Sequence, residues 1–357
     1  MENPYKSLPD YAFWRRSVAQ IRPEDVDPVV NAPFQISKTD KVATAGSCFA
    51  QHIARYLKNS GFTYFVAEPA HPFAPPHLAK EYGYGEFTAR YGNIYTSKQL
   101  LQLFDRAYGN LVPKESFWKN EAGDFIDPYR PNIQPGGFNC ELELEVDRKQ
   151  HLAAVRKTFE ELDVFVFTLG LTETWVSKDE NMAFPLCPGV VAGEFDREKY
   201  SFVNLSVAEV TKDMNRFIEK LRSVNPTAKV ILTVSPVPLI ATMEDRHVLT
   251  STTYSKSVLR VAAEEIQNNF ENVAYFPSYE IITGNFSRGR YFAQDCRSVL
   301  ELGVRHVMTL FLKHYTELSK ETSQKPYAQE ISESEKHMLE MERLVEVNCD
   351  EISLDQS

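Results

Sequence analysis

Lys41-Val42-Ala43-Thr44-Ala45-Gly46-Ser47-Cys48-Phe49-Ala50-Gln51-His52-Ile53-Ala54-Arg55-Tyr56-Leu57 is the stretch on which the fold turns. Its first five residues lean apolar, its middle is a turn of small residues, and from Gln51 the pattern turns helical. A strand, a tight turn and a helix in that order open a βαβ unit. Such a turn lifts a side chain above the sheet edge and aims backbone N–H groups at whatever binds there. A thiol at a helix N-terminus, here Cys48, is biased toward thiolate. A nucleophile on a strand-to-helix turn is where acyl-transfer or ester-cleaving chemistry is built.

Working outward, three more runs of β-formers follow. Asp163 to Leu169 is continuously apolar and predicts a buried parallel strand, Ala228 to Val234 a second, and Asn272 to Phe276 a shorter third. Helical patterns lie between them at Ser97 to Phe104, Ser206 to Val224 and Thr253 to Phe270, with Val304 to Leu312 after the last strand. Strands alternating with helices predict a three-layer α/β/α fold around a mostly parallel sheet. Sites in such sheets lie beyond the carboxyl ends of the strands, which puts Gly46 to Phe49, Gly170 to Glu173 and Ser235 to Val237 at one rim.

Three long insertions interrupt this pattern: Pro69 to Gly85, Asn110 to Gly137 and Phe184 to Phe202. They read as substrate-covering loops. Residues 1–39 are punctuated by Pro4, Pro9, Pro23, Pro28 and Pro33 and read as an extended arm with a short helix near Trp14. Residues 40–320 form the α/β domain. Residues 321–357 read as an acidic, partly helical tail, with an apolar stripe through Ile331, Met338, Leu339, Met341, Leu344 and Val345.

A formal net charge of -10 opposes nucleic acid as the main partner, because phosphate binding needs a basic face. It equally opposes a polybasic membrane anchor. Five widely spaced cysteines without a C-x-x-C pair (Cys48, Cys140, Cys187, Cys296, Cys349) make neither a disulfide framework nor a zinc ribbon. No apolar run reaches a membrane span, and the first residues lack a signal-peptide core. The expectation is a soluble, reduced, cytoplasmic protein without a membrane span, acting on a small-molecule substrate, with homo-oligomerisation open.

The pentapeptide Gly46-Ser47-Cys48-Phe49-Ala50 also resembles the motif that names the GSCFA family, a bacterial group related to the SGNH/GDSL hydrolases. Ala89 to Tyr95, Thr168 to Trp175, Thr233 to Val237 and Tyr275 to Ile281 fit the same family in the same order. The resemblance implies an SGNH/flavodoxin-like sheet with long loop insertions, and an esterase or acyltransferase in a polysaccharide setting. A glycan or carrier-linked sugar would be the substrate, with an acyl-CoA-like donor if the reaction is a transfer. No other cofactor and no metal is implied.

In SGNH enzymes the first block ends in a nucleophilic serine at the third position of Gly-Asp-Ser. That register puts Cys48 in the nucleophile position, with Ser47 as the alternative. The resemblance supplies oxyanion donors from Cys48 N–H, from Gly92 with its neighbour Asn93, and from the Gly170 block. In that block Thr172 stands where the family pattern has an amide, and Glu173 is placed to hold a substrate hydroxyl. The closing Asp-x-x-His block is Asp295-Cys296-Arg297-Ser298, so Asp295 fits but a serine replaces the histidine. Three other imidazoles compete for the base: His247 on the loop after the third strand, His306 on the last helix, and His52 one turn beyond Cys48. The hydroxyl-rich run Ser251 to Ser257 reads as a helix cap or as a sugar- or phosphate-binding stretch with Lys256 as its cation. Arg288 and Arg290 read as partners of Glu280 or Asp295, or of a substrate anion. A binding module that kept the pocket and lost the chemistry is the rival to an enzyme, and a metal set of Cys48, His52 and Cys187 is a third reading.

Overall fold

The strands form where β-branched and aromatic residues accumulate. In chain order they are β1 (Val42–Gly46), β2 (Trp118–Lys119), β3 (Phe125–Ile126), β4 (Val164–Leu169), β5 (Glu173–Ser177), β6 (Ala183–Phe184), β7 (Tyr200–Asn204), β8 (Lys229–Val234) and β9 (Val273–Tyr275). The helices are α1 (Ala50–Asn59), α2 (Pro76–Glu81), α3 (Ser97–Ala107), α4 (Glu141–Glu161), α5 (Val207–Val224), α6 (Val248–Asn269), α7 (Ser278–Thr283) and α8 (Glu301–Tyr315). These are the elements of a computed structural model, which describes residues 3–317. The expected tail at 321–357 lies outside the described residues.

The central sheet has the order β1-β4-β8-β9 and is parallel throughout. Every residue of β1 and β4 is buried, as strands covered on both faces must be. On the free side of β1, Val42 forms a parallel bridge with Tyr64. Two backbone bonds hold it, Val42 N–H to Thr63 O at 3.0 Å and Phe65 N–H to Val42 O at 2.9 Å. The chain therefore leaves β1 on one side and returns to β4 on the other. That reversal is a topological switch point, and ligands bind in the crevice beyond the strand ends there. Helices surround this sheet in the expected three-layer α/β/α arrangement: α1 packs on β1 and β4, α6 on β8 and β9, and α3 to α6 on one another.

Two capping boxes set the starts of flanking helices. Thr96 accepts from Gln99 N–H while the Gln99 side chain reaches back, and Ser206 and Glu209 do the same for α5. The insertions carry structure of their own. Asn110 to Gly137 holds the hairpin of β2 and β3, and β6 and β7 at the ends of Phe184 to Phe202 pair antiparallel with β5.

The described residues divide into two units, 38–275 and 3–37 with 276–317. In the second, the arm segment joins the C-terminal helix: Ile36 N–H donates to Tyr315 O at 2.7 Å, and Asp27 accepts from Lys313 Nζ and pairs with His314 Nε2, both at 2.7 Å. Phe276 packs edge-on against Phe311 and Tyr315.

Candidate functional site

At the carboxyl end of β1, the backbone of Gly46 has φ +130°. A Cβ there would stand 2.3 Å from Thr168 O, so only glycine lets β1 end flush against β4. Ser47 N–H then donates to Thr168 O at 3.1 Å. The carbonyls of Ser47, Cys48 and Phe49 accept from Ala50, Gln51 and His52, a tight turn that winds directly into α1. Cys48 is in no disulfide among the described residues and is 4% exposed. The Ser47 hydroxyl is buried and has no hydrogen-bond partner among the described residues, and neither has that of Thr168 on the neighbouring strand.

Two further blocks meet this turn. Ile94 N–H donates to Gly46 O at 2.9 Å, and Tyr95 O accepts from Gly170 N–H at 3.0 Å and Leu171 N–H at 2.9 Å. A Cβ on Gly170 would come within 3.1 Å of Ser47 Cβ, which measures how closely the blocks abut. Gly92 has φ +67° with open space on its Cβ side. Its neighbour Asn93 is buried. Backbone bonds of Ile94 and Tyr95, just past Gly92 and Asn93, thus join the second block to Gly46 and Gly170, and Gly170 abuts Ser47.

Thr172, Glu173 and Lys256 are engaged in hydrogen bonds around the turn between β4 and β5. Thr172 donates its hydroxyl proton to Asn204 Oδ1 at 2.7 Å and its N–H to Ser255 Oγ at 3.1 Å. Glu173 accepts from Thr242 Oγ1 at 2.7 Å and Met243 N–H at 3.3 Å, with burial raising its pKa. Lys256 is buried and donates to Gly170 O at 2.7 Å. The hydroxyl-rich run opens no helix: α6 starts at Val248, so Ser251, Ser255 and Lys256 lie inside it, Ser255 and Lys256 bonding the β4–β5 turn and Ser251 bonding Thr242 and Arg246.

The histidines differ in what their nitrogens do. His247 is the exposed N-cap of α6, and its Nδ1 accepts from Leu249 N–H at 3.1 Å, which leaves the proton of the neutral ring on Nε2. His52 is buried against the Phe49 ring, and burial followed by the Arg55 charge pushes its pKa down to about 3. In the other unit, His306 Nε2 donates to Val26 O at 2.9 Å, so Nδ1 accepts from Tyr291 OH at 2.8 Å. Asp295 accepts from Arg297 N–H and Ser298 N–H at 2.9 Å and from Ser298 Oγ at 2.6 Å. These bonds outweigh burial and keep its carboxyl below the usual range. Among the described residues, no cluster of His, Cys, Asp or Glu could hold a metal ion. Nor is any helix there long and apolar enough to cross a membrane.

Sequence reasoning passed over a buried carboxylate–imidazole pair behind the second block. His151 Nδ1 bonds Glu68 Oε2 at 2.9 Å, its ring meets the Tyr91 ring edge-on at 6.4 Å, and its Nε2 is buried without a partner among the described residues. Burial pushes His151 down to about 4. Glu68 also accepts from Arg90 N–H at 2.7 Å. His151 belongs to α4, a helix whose exposed face is so charged that no apolar stripe announced it.

Comparison with functionally curated proteins found no significant match. Among solved structures, an acetyl esterase mutant with acetate ion is 12% identical with a TM-score of 0.34, covering 76% of this chain and 94% of its own. An acetyl xylan esterase from the rumen bacterium Butyrivibrio proteoclasticus is 13% identical with a TM-score of 0.24, covering 70% and 57%. The sequence profile of the GSCFA family spans residues 41–311, from the first strand to the last helix. The three blocks that meet at the β1–β4 rim all fall inside that span, and the chain belongs to the GSCFA family.

Proposed function

We propose that this chain is an SGNH-like acyl-group enzyme, an esterase or acyltransferase, with Cys48 as nucleophile. The observation that carries the reading is the convergence of the Gly46–Cys48 turn with Gly92 and Gly170 at the switch point between β1 and β4. The Cys48 thiolate adds to the acyl carbonyl carbon, and the oxyanion that forms meets the N–H groups of Cys48 and Gly92. Collapse breaks the carbonyl–alkoxide bond, and the leaving oxygen takes up the proton given up by the thiol. Water or an acceptor hydroxyl then attacks the thioester, releasing the acid or the acylated acceptor and restoring the thiol. His247 is the proton carrier in this reading, in the tautomer that gives up its cap bond to Leu249. No step is assigned to His306 or Asp295, whose polar atoms serve Val26, Tyr291, Ser298 and Arg297. The substrate class is a glycan or carrier-linked sugar, with an acyl-CoA-like donor for transfer and a cytoplasmic setting.

The test is intact-mass measurement after incubation with an activated ester or thioester. One acyl group should add to the wild type and to Ser47→Ala but not to Cys48→Ala. His247→Asn keeps a helix cap but lacks a basic nitrogen, so it should form the adduct more slowly. An adduct that survives in Cys48→Ala and disappears in Ser47→Ala moves the nucleophile to Ser47.

A second reading, a glycan- or nucleotide-sugar-binding module, is favoured by Ser298. It occupies the closing-block histidine position and spends its hydroxyl on Asp295. Absence of any adduct together with saturable sugar binding would select it.

A further inference from the structure

Behind the second block, three guanidiniums (Arg90, Arg130 and Arg148) share three carboxylates, and a fourth, Arg106, lies beside them. Asp147 takes Arg90 at 2.7 Å and Arg130 at 2.8 Å, Asp127 takes Arg130 at 2.9 Å and Arg148 at 3.3 Å, and Glu68 takes His151 and lies 3.8 Å from Arg90. No carboxylate of this set forms an ion pair with Arg106. Its guanidinium stacks 4.0 Å over the centroid of the Tyr129 ring, which serves the face of the group but not its edge. The residue is 7% exposed, and its Nε and Nη2 have no hydrogen-bond acceptor among the described residues. Those two N–H groups form one edge of the guanidinium, the parallel fork that receives a carboxylate in bidentate fashion.

Arg106 lines a cavity of about 30 Å³ together with Asn93, Ile94 and Arg130. That is room for about two water-sized groups, or the two oxygens of a carboxylate. Three other polar walls are committed: Gln99 Oε1 accepts from Tyr95 and Thr96 N–H, Gln102 bonds Asn181 and Ala183, and Arg130 is held by Asp127 and Asp147. A buried cation whose bidentate edge lacks an acceptor is costly unless an anion completes it.

We infer that this cavity is a subsite for a carboxylate group of a small-molecule ligand, received edge-on by Arg106 beside Asn93. Burial, followed by the neighbouring charges of Arg148 and Arg130, outweighs Asp127 and brings the Arg106 pKa down to about 10, and an anion on its fork would raise it. The inference goes beyond the acyl-transfer reading. Failure of an adduct at Cys48 leaves it standing, and failure of carboxylate binding leaves that reading standing.

The experiment is ¹⁹F NMR of trifluoroacetate with the full chain at fixed pH and ionic strength. Saturable broadening that sodium formate reverses and sodium chloride does not is the expected result, with at least tenfold weaker binding in Arg106→Lys and none in Arg106→Met. Formate should also shift the Arg106 Nε–H resonance in the wild type, which keeps the test readable if Arg106→Met does not fold. Broadening reversed equally by chloride, an unmoved Nε–H resonance, or unchanged binding in a folded Arg106→Met each overturns the subsite and leaves water as its content. Stronger displacement by inorganic phosphate than by formate overturns the carboxylate assignment.

Discussion

Gly46 and Gly92 are both glycines with positive φ, yet different physics requires each. At Gly46 the strand end is pressed against β4, and any side chain would enter the Thr168 backbone. Gly46→Ala should therefore cost about 3 kcal/mol or leave the protein unfolded, through overlap and backbone strain together. At Gly92 a Cβ would meet nothing within 4 Å, so Gly92→Ala faces only the left-handed backbone, at about 1 kcal/mol. Urea denaturation of the two variants should separate them by a clear margin. If the Gly92 N–H is an oxyanion donor, the mild variant in stability should be the severe one in adduct formation, about a hundredfold slower. Equal losses of stability would mean that close packing at Gly46 is not what fixes the strand end.

At the scale of elements, α6 acts as a prop for the turn between β4 and β5. Ser255 Oγ receives Thr172 N–H, and the buried Lys256 ammonium holds Gly170 O. Lys256→Met removes a hydrogen bond to a buried carbonyl but also relieves the burial of a cation, so the net loss should stay near 1 kcal/mol. The local consequence is larger. Gly170 and Leu171 amides should exchange about tenfold faster with solvent, while amides of β8 stay protected, as hydrogen exchange followed by mass spectrometry would read. The parallel strands and the helices that follow them were legible in the sequence because buried strands are continuously apolar and α5 carries an unbroken apolar stripe. Two kinds of element escaped that reading. The face of α4 that points inward carries Asp147, Arg148 and His151 beside Leu144, Val155 and Phe159, so charge pairing replaces apolar periodicity there. The strands β5 to β7 are broken by Pro185, Pro188 and Gly189, and their pairing is set by aromatic contacts such as Trp175 with Phe202. At the site, Gly46 to Cys48 and Gly170 could be read as strand-end residues. The true start of α6 could not, because His247 is an uncommon helix cap, and that displaced Lys256 and Ser255 from a loop edge into a buried face.

Across the larger unit, charge does what apolar packing does in the sheet. The insertion that carries β2 and β3 is pinned to α4 and to the second block by Asp127, Arg130 and Asp147, none of them more than 18% exposed. This part of the expected cover is thus a wall built on buried ion pairs, which salt screens far less than surface pairs such as Lys114 with Asp179. Its weakness is acid. His151 is kept neutral, with burial pushing it to about 4, whereas in the unfolded chain it takes a proton near 6.5. A depressed histidine pKa means that the unfolded state gains the proton first, so stability falls as the pH drops from 6.5 through 4. His52, pushed to about 3, adds to the loss in the same window. Glu68 follows lower down. Burial would raise it, but His151 and Arg130 hold it at about 2, so its contribution is present above 4.5 and is lost as the pH falls toward 2. The urea midpoint of the wild type should therefore decline from near pH 6.5, before surface carboxylates titrate, while 0.5 M salt at pH 7 changes it little. His151→Gln can still donate to Glu68 but cannot take up a proton. Its midpoint should fall less steeply between pH 6.5 and 4, with His52 and His306, whose pKa values burial also lowers, supplying the slope that remains. A variant that tracks the wild type through that window would show that the buried pair is not what acid breaks.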